Sequence, residues 1–444
     1  MIIAGKIGIV FVVISREPWE KAEERLQILL RTMRGRGMEI IYAGKPAFDT
    51  NETVAHAKEA QQKGADCICY VVGTWIHSPQ VVTAALEVNI PTILLALKQK
   101  EIFSLVGAAC ARGSLDEIGL PHLFVYGEPD SLEMIDHIAK YARASATVKK
   151  LKGKKYGLVG GRSMGMYTAM ADYSQVKKEL GIEIEHIDEY RVILEAEKTP
   201  EAKAKDIMEE MKRKYAEVSV DEGNLLRSIK LYLALKKIIN EEELDFIGIK
   251  CQPEVISNFA SYCVPVALLN NEGFVTACEC DTNAAITMEI LHILSNEPVF
   301  FGDVQNVDRK TAILTSINCG SVATDFAQSP KEVHWLAHPK VMYGGGSPCV
   351  QLVCKPGRIT CARLNRVSGK YHMLTFTGET LEKPREQLKE TIWEWPHAFI
   401  KMDCNPDEFL RQLRSNHIHF VYGDYKQELI HICEMLGITL TLLK

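Results

Sequence analysis

The sequence predicts an α/β protein: two doubly wound domains built on parallel sheets, then a β-rich C-terminal domain. Three observations predict it. Short apolar runs alternate with helical apolar spacing through the first two thirds of the chain, the βαβ signature of a parallel sheet covered on both faces. The alternation stops at a basic stretch, Lys149–Lys155, and then restarts. Towards the C-terminus it gives way to short strands separated by Gly and Pro turns.

The elements follow in order. Lys6–Ile14 reads as a strand, Trp19–Met33 as a helix and Glu39–Tyr42 as a strand. Asn51–Gln62 reads as a helix closed by Gly64, Cys67–Val72 as a strand, Gln80–Leu86 as a helix and Thr92–Leu97 as a strand. Ser131–Tyr141 is a polar helix, and Lys149–Lys155 reads as a solvated linker. Tyr156–Val159 restarts the pattern as a strand, and Gly160-Gly161-Arg162-Ser163 leads into a helix expected over Met164–Leu180. Strands are expected at Ile182–Ile187, Phe246–Ile249, Phe274–Cys278 and Val299–Phe301. Asp281 or Thr282 caps a helix running to Leu294. Gln351–Val353, Arg358–Arg363 and His372–Thr377 are short strands of the β-rich part. The chain closes with strand Ile418–Tyr422, helix Lys426–Leu436 and strand Thr439–Leu443. The expected domains are two Rossmann-like units, 1–150 and 151–300, and a β-rich unit, 301–444. Three domains suit a chain of 444 residues.

Composition excludes several classes. The chain is 47% hydrophobic and 25% charged, which is globular rather than disordered. Lysine and arginine number 52 against 57 acids, so no electrostatic pull toward nucleic acid exists. No apolar run approaches the ~18 residues that span a bilayer, so no membrane partner is expected. Thirteen cysteines, with no CxxC pair among them, read as buried free thiols in a reducing compartment. The apolar stretch Ile7–Ile14 is short and lacks a small-residue cleavage site behind it. It reads as a first buried strand rather than a leader, and a cytoplasmic protein is expected.

Few residues stand out for chemistry. Glu279 follows strand Phe274–Cys278, and Asp303 follows strand Val299–Phe301. Ligands of open α/β sheets bind outside the carboxyl ends of strands, so the two acids could share one crevice. A carboxylate pair can hold a hard divalent cation or exchange protons; each acid could equally be a cap or turn residue. His417 stands at the entry to a strand, with His419 in alternation behind it. Trp395-Pro396-His397 places an aromatic, a rigid turn and an imidazole together. The turn at Gly160–Gly165 could hold an anion at a helix start, with Asp188 where a ribose-binding acid would stand. It also reads as GxSxG with Ser163 as nucleophile, although no oxyanion segment precedes it.

Several of these segments, in order, resemble the L-fucose isomerase / L-arabinose isomerase family. Gly160-Gly161-Arg162-Ser163-Met164-Gly165-Met166 is similar to the opening of the family's second domain. Ala277-Cys278-Glu279-Cys280-Asp281 and Phe301-Gly302-Asp303-Val304 resemble the segments of its metal-binding glutamate and aspartate, at the interval of L-fucose isomerase. Ile317–Ser321 is similar to the turn that follows, and Ser415-Asn416-His417 resembles the segment of the metal-binding histidine.

The resemblance implies a divalent-metal-dependent aldose–ketose isomerase, moving a proton between C1 and C2 of a sugar through an enediol(ate). It implies Glu279, Asp303 and His417 as metal ligands, with both carboxylates also catalytic. An oxygen-rich set of this kind suits Mn²⁺ or Mg²⁺. By family position, Arg16, Trp75, Lys250, Gln252, Ser321, Trp395 and Asn416 would contact the sugar. Trp75 would reach a neighbouring subunit's site, so a homo-oligomer, a trimer or hexamer, is expected. Lys250 stands where L-fucose isomerase has an uncharged amide, which suggests an anionic sugar carrying a carboxylate, sulfonate or phosphate. Three other readings stand beside this one: a sugar-binding or sensor protein without turnover, an NAD-linked enzyme using the Gly160 turn, and a serine hydrolase using Ser163.

Overall fold

A computed structural model describes residues 4–339, 345–391 and 393–444. The chain forms two compact units. One holds the residues up to Lys150 together with Gln427–Gly437; the other holds Leu151–Lys426 and Ile438–Lys444.

The first unit is built on a five-stranded parallel sheet. Its strands, in spatial order, are Ile40–Tyr42, Ile7–Val12, Cys67–Val72, Thr92–Leu97 and His122–Gly127. Alternate residues of one strand feed two cores. Ile7, Ile9 and Phe11 pack with Leu26, Leu30, Ile135 and Ile138, whereas Val10 and Val12 pack with Ala57, Val81, Ala84 and Ala108. Helices therefore cover both faces, which is why the central strands read as unbroken apolar runs. Strand His122–Gly127 of this sheet and the helix before it, Ser104–Glu117, are elements the sequence reading does not contain.

The second unit carries three sheets. A four-stranded parallel sheet has the order Thr276–Cys278, Phe246–Ile249, Lys155–Val159, Glu183–Ile187. Six antiparallel strands close on themselves as a barrel: Gly357–Val367, His417–Tyr422, Phe300–Asp308, Ile313–Ile317, His397–Met402 and Lys370–Thr380. Thr439–Leu442 adds to Lys370–Thr380 in parallel. Closure removes the free edges an open sheet would expose. The barrel packs Phe300 on Phe420, 4.8 Å between centroids, with Phe326 edge-on to both. Glu217–Ser219, His334–Ala337 and Pro348–Gln351 form the third sheet.

The mixed α/β class, the parallel sheets and the β-rich C-terminal region are as the sequence predicted. Three local expectations are corrected. No helix starts at Met164: an α-turn begins at Tyr173 and runs into a π-turn, Val176–Leu180. Positive φ at Gly160, Gly161, Met164 and Gly165 keeps the chain out of helix there. The basic stretch is not a free linker, because helix Leu132–Leu151 runs into it and Lys154 pairs with the buried Glu289 at 3.0 Å. The two short strands near residues 360 and 375 are one long hairpin, Gly357–Val367 and Lys370–Thr380, turned by Ser368 and Gly369 at φ 50° and 80°.

Candidate metal centre and active site

Asp303 and His417 lie on adjacent barrel strands and face each other directly across the ladder. Side chains at opposed ladder positions project to the same face within about 5.5 Å. Glu279 reaches them from the carboxyl end of strand Thr276–Cys278. It and Cys280 both adopt left-handed backbone, φ 59° and 51°, a conformation costly for residues with a Cβ and concentrated at functional sites.

The result is a compact group. His417 Nε2 lies 3.1 Å from Glu279 Oε2 and 3.5 Å from Asp303 Oδ1. One ligand atom from each of the three residues falls within 4.8 Å of the others. His417 is fully buried, Glu279 is 6% exposed, and Asp303 is partly exposed. Glu279 Oε2 and His417 Nε2 are buried and make no hydrogen bond. Two acids and an imidazole converging on orphaned atoms fit a hard divalent cation.

Residues behind this group fix its geometry, and the sequence did not mark them for it. Asp281 accepts a hydrogen bond from His417 Nδ1 at 2.7 Å and pairs with Arg363 Nη1 at 2.8 Å. This leaves Nε2 as the ligand atom of His417. Arg363 Nη1 also stands 3.3 Å from His419 Nε2, and its Nη2 donates to the Thr168 carbonyl at 3.2 Å. His417 and His419 are both fully buried and point the same way, as their alternation predicted. Phe301 packs against both rings, at 4.4 and 5.0 Å.

The electrostatics follow from this packing. Burial would raise the Asp281 carboxyl, but Arg363 and His417 outweigh it and hold that carboxyl well below the usual range. Burial would lower His417, yet the Asp281 and Glu279 carboxylates beside it push it up to about 10. Asp303 is pushed up to about 6, by burial first and by its neighbour Glu279, against the pull of His417.

The other sequence candidates fall into smaller groups. Asn416 donates to Asp303 Oδ1 at 2.9 Å. The Ser321 N–H and hydroxyl both donate to Asn318 Oδ1, at 2.6 and 3.0 Å, which locks the turn beside the barrel. Trp395 is buried against Trp393, 4.6 Å between centroids, and both line a cavity of 380 Å³. Lys250 and Gln252 follow strand Phe246–Ile249, beside the switch point of the four-stranded sheet. The Lys250 ammonium already has a partner, Glu254 at 2.9 Å, so it does not wait unpaired for an anion. Gln252 is 8% exposed. Arg16 and Trp75 lie in the first unit, where the guanidinium sits over the indole at 5.5 Å and the Trp75 backbone N–H donates to Glu17 Oε2 at 3.1 Å.

Two alternative readings lose their footing. Ser163 is fully buried and donates to the Gln252 carbonyl at 3.4 Å, so no exposed nucleophile elbow exists there. Asp188 spends its carboxylate capping helix Glu189–Lys198, accepting from the Tyr190 N–H at 2.8 Å.

Comparison with known proteins finds sugar isomerases. Residues 316–444 match the family model of the L-fucose isomerase C-terminal domain. A sulfoquinovose isomerase of Priestia aryabhattai is 22% identical over 445 residues, covering 97% of this chain and 98% of its own. One from Alkalicoccus urumqiensis is 25% identical over 383 residues, covering 84% and 85%. An L-fucose isomerase of Bacteroides thetaiotaomicron is 22% identical over 513 residues, covering 92% and 86%. A solute-binding protein of Burkholderia multivorans overlaps 66% of this chain and 95% of its own, at 12% identity and a TM-score of 0.20, too weak a likeness to carry an argument.

Proposed function

The chain belongs to the L-fucose isomerase-like family, and from that premise we propose that it is a metal-dependent aldose–ketose isomerase acting on an anionic, sulfonated hexose. The observation that carries the reading is the convergence of Glu279, Asp303 and His417 within 4.8 Å. Glu279, Asp303 and His417 would hold the ion, and Mn²⁺ or Mg²⁺ suits so oxygen-rich a set. When bound, such an ion supplies Lewis acidity toward the sugar oxygens at C1 and C2. The residues do the rest. One carboxylate, Glu279 or Asp303, removes the proton from one sugar carbon and the other serves as acid, with an enediol(ate) between. Asp281 holds the His417 ring in one orientation, and Asn416 does the same for Asp303.

Two observations support a sulfonated substrate. Relatives named sulfoquinovose isomerase align along nearly the whole length of both chains. Lys250 stands at the carboxyl end of a strand beside the switch point, where an anionic group could take it from the exposed Glu254. Trp75 completes the reading at the level of assembly: it would reach a neighbouring subunit's site, making the active form a homo-oligomer in the cytoplasm.

Matched neutral and sulfonated aldoses, assayed for ketose formation with Mn²⁺, test the proposal. Sulfonated sugar should turn over, and Lys250→Gln should lower its kcat/KM about ten- to a hundredfold while sparing any neutral substrate. Glu279→Gln, Asp303→Asn and His417→Ala should each lose bound metal by elemental analysis. Full metal occupancy in all three variants would sink the metal assignment. Equal loss on both sugar classes with Lys250→Gln would sink the assignment of the anion.

A further inference from the structure

Glu279 has a second set of neighbours. Cys278, which precedes it, and Cys319, in the turn between the barrel strand Ile313–Ile317 and the rest of the unit, each bring a thiol to its side. The two sulfurs are 3.8 Å apart, and one Glu279 carboxylate oxygen lies with them in a group spanning 4.8 Å. A tetrahedral ion with metal–sulfur bonds of about 2.3 Å sets two thiolates about 3.8 Å apart. An S–H···S contact holds the sulfurs at that separation in the protein as it stands.

The group is built rather than incidental. Asn318 Oδ1 accepts from the Gly320 and Ser321 N–H groups at 2.9 and 2.6 Å, so the loop carrying Cys319 is tied down. Gly320, at φ 106°, lets that loop press on Cys349, where an added Cβ would meet the Cys349 Cβ at 2.4 Å. Cys278 is fixed in the parallel sheet by its pairing with Ile249. Cys319 is partly exposed, which gives an ion a way in, and Glu279 Oε2 is buried without a hydrogen bond. Cys263, the next thiol, is turned toward the Cys319 carbonyl and His338 instead.

We propose that Cys278, Cys319 and Glu279 form a second cation site, selective for a thiophilic divalent ion of the Zn²⁺ and Cd²⁺ class. Both thiols bind as thiolates, releasing two protons, and the Glu279 carboxylate is the third protein ligand. Two sulfurs exclude Mg²⁺ and disfavour Mn²⁺, whereas the Glu279–Asp303–His417 group offers oxygen and nitrogen only. The two sites share Glu279, so filling the thiol site takes a ligand from the other. The inference rests on the proposed function only for that competition.

Cadmium titration of the full-length, reduced, metal-free protein tests it, read by thiolate-to-cadmium charge-transfer absorption. The band should saturate at one equivalent. It should vanish in Cys319→Ala and in Cys278→Ser. Glu279→Gln should keep the band but bind about a hundredfold more weakly, at least what losing an outer-shell partner can cost. Mn²⁺ bound to the wild type, followed by paramagnetic resonance, should be released as the band grows, and Cys319→Ala should retain it. No band in the wild type, an unchanged band in Cys319→Ala, or Mn²⁺ retained at band saturation would each overturn the proposal. A wild type that gives the band yet never binds Mn²⁺ would overturn the metal assignment under the proposed function and leave the thiol site standing.

Discussion

Asp281 does three things with one carboxylate. Its Oδ1 accepts from the Ala284 N–H at 2.9 Å and caps helix Thr282–Ser295, while its Oδ2 holds both His417 and Arg363. Asparagine caps helices about as well as aspartate, so Asp281→Asn isolates the loss of charge. The variant leaves Arg363 a buried cation without its counter-charge, a change that costs on the order of 3–5 kcal/mol. It should also weaken Mn²⁺ binding about ten- to a hundredfold, because His417 loses its ionic anchor. Adding Arg363→Met should restore stability in denaturant titrations without restoring metal affinity. Recovery of both would show that Asp281 acts only through folding. The sequence exposed Glu279 and His417 because they stand at a strand end and a strand entry, and Asp303, which lies inside its strand rather than after it, because its segment, like theirs, resembles a known one. Asp281 looked like a cap, which it also is. Arg363 gave no signal, since a charged residue in a strand pattern reads as solvent-facing until its distant partner is placed against it.

At the scale of elements, the end of helix Glu222–Glu241 shows a cost the chain carries. Glu242 is its C-cap, and the exposed Glu243 that follows has φ 53°. That position favours Gly, or Asn as at the caps Asn89 and Asn296. Glu243→Gly should raise the unfolding free energy by about 1 kcal/mol, the left-handed penalty less the added freedom of the unfolded chain. A shift in the denaturation midpoint at constant slope measures it, and an unchanged midpoint counts against the strain. Elements with regular apolar spacing were legible: Lys426–Leu436 was predicted end to end. The segment after Gly160 was not, because its helix-like spacing precedes the true start, where Asp172 accepts from the Gln175 N–H at 2.9 Å. The barrel hairpin was read too short because Asn365, just beyond Arg363, breaks the apolar alternation, yet it is buried.

At the scale of the whole molecule, buried neutral imidazoles set the response to acid. Burial lowers His338 to about 4; its Nδ1 has no hydrogen-bond partner, and its Nε2 lies 3.3 Å from the Cys263 sulfur. Burial also lowers His397, against its hydrogen bond to the Trp395 carbonyl. An unfolded histidine titrates near 6.5, so between pH 6.5 and 4 the unfolded chain binds the proton that folded His338 refuses. Stability then falls as pH falls through this window. From pH 7 to pH 5 the loss from His338 amounts to about 2 kcal/mol, and His338→Gln should abolish that portion of the slope in denaturant titrations of the second unit. A slope identical in wild type and variant would assign the acid sensitivity elsewhere. Another consequence lies in the path of the chain, which leaves the first unit at Lys150, returns for Gln427–Gly437 and departs again. Helix Lys426–Leu436 brings Met435 to the core that contains Ile138 and Tyr141, and His431 to the rings of His137 and Tyr141. A ribosome adding roughly 5–20 residues per second spends roughly 14–55 s on Leu151–Lys426. Throughout that interval a nascent first unit waits with one side of its core uncovered, so the earliest-made part of this protein is among the last to be finished.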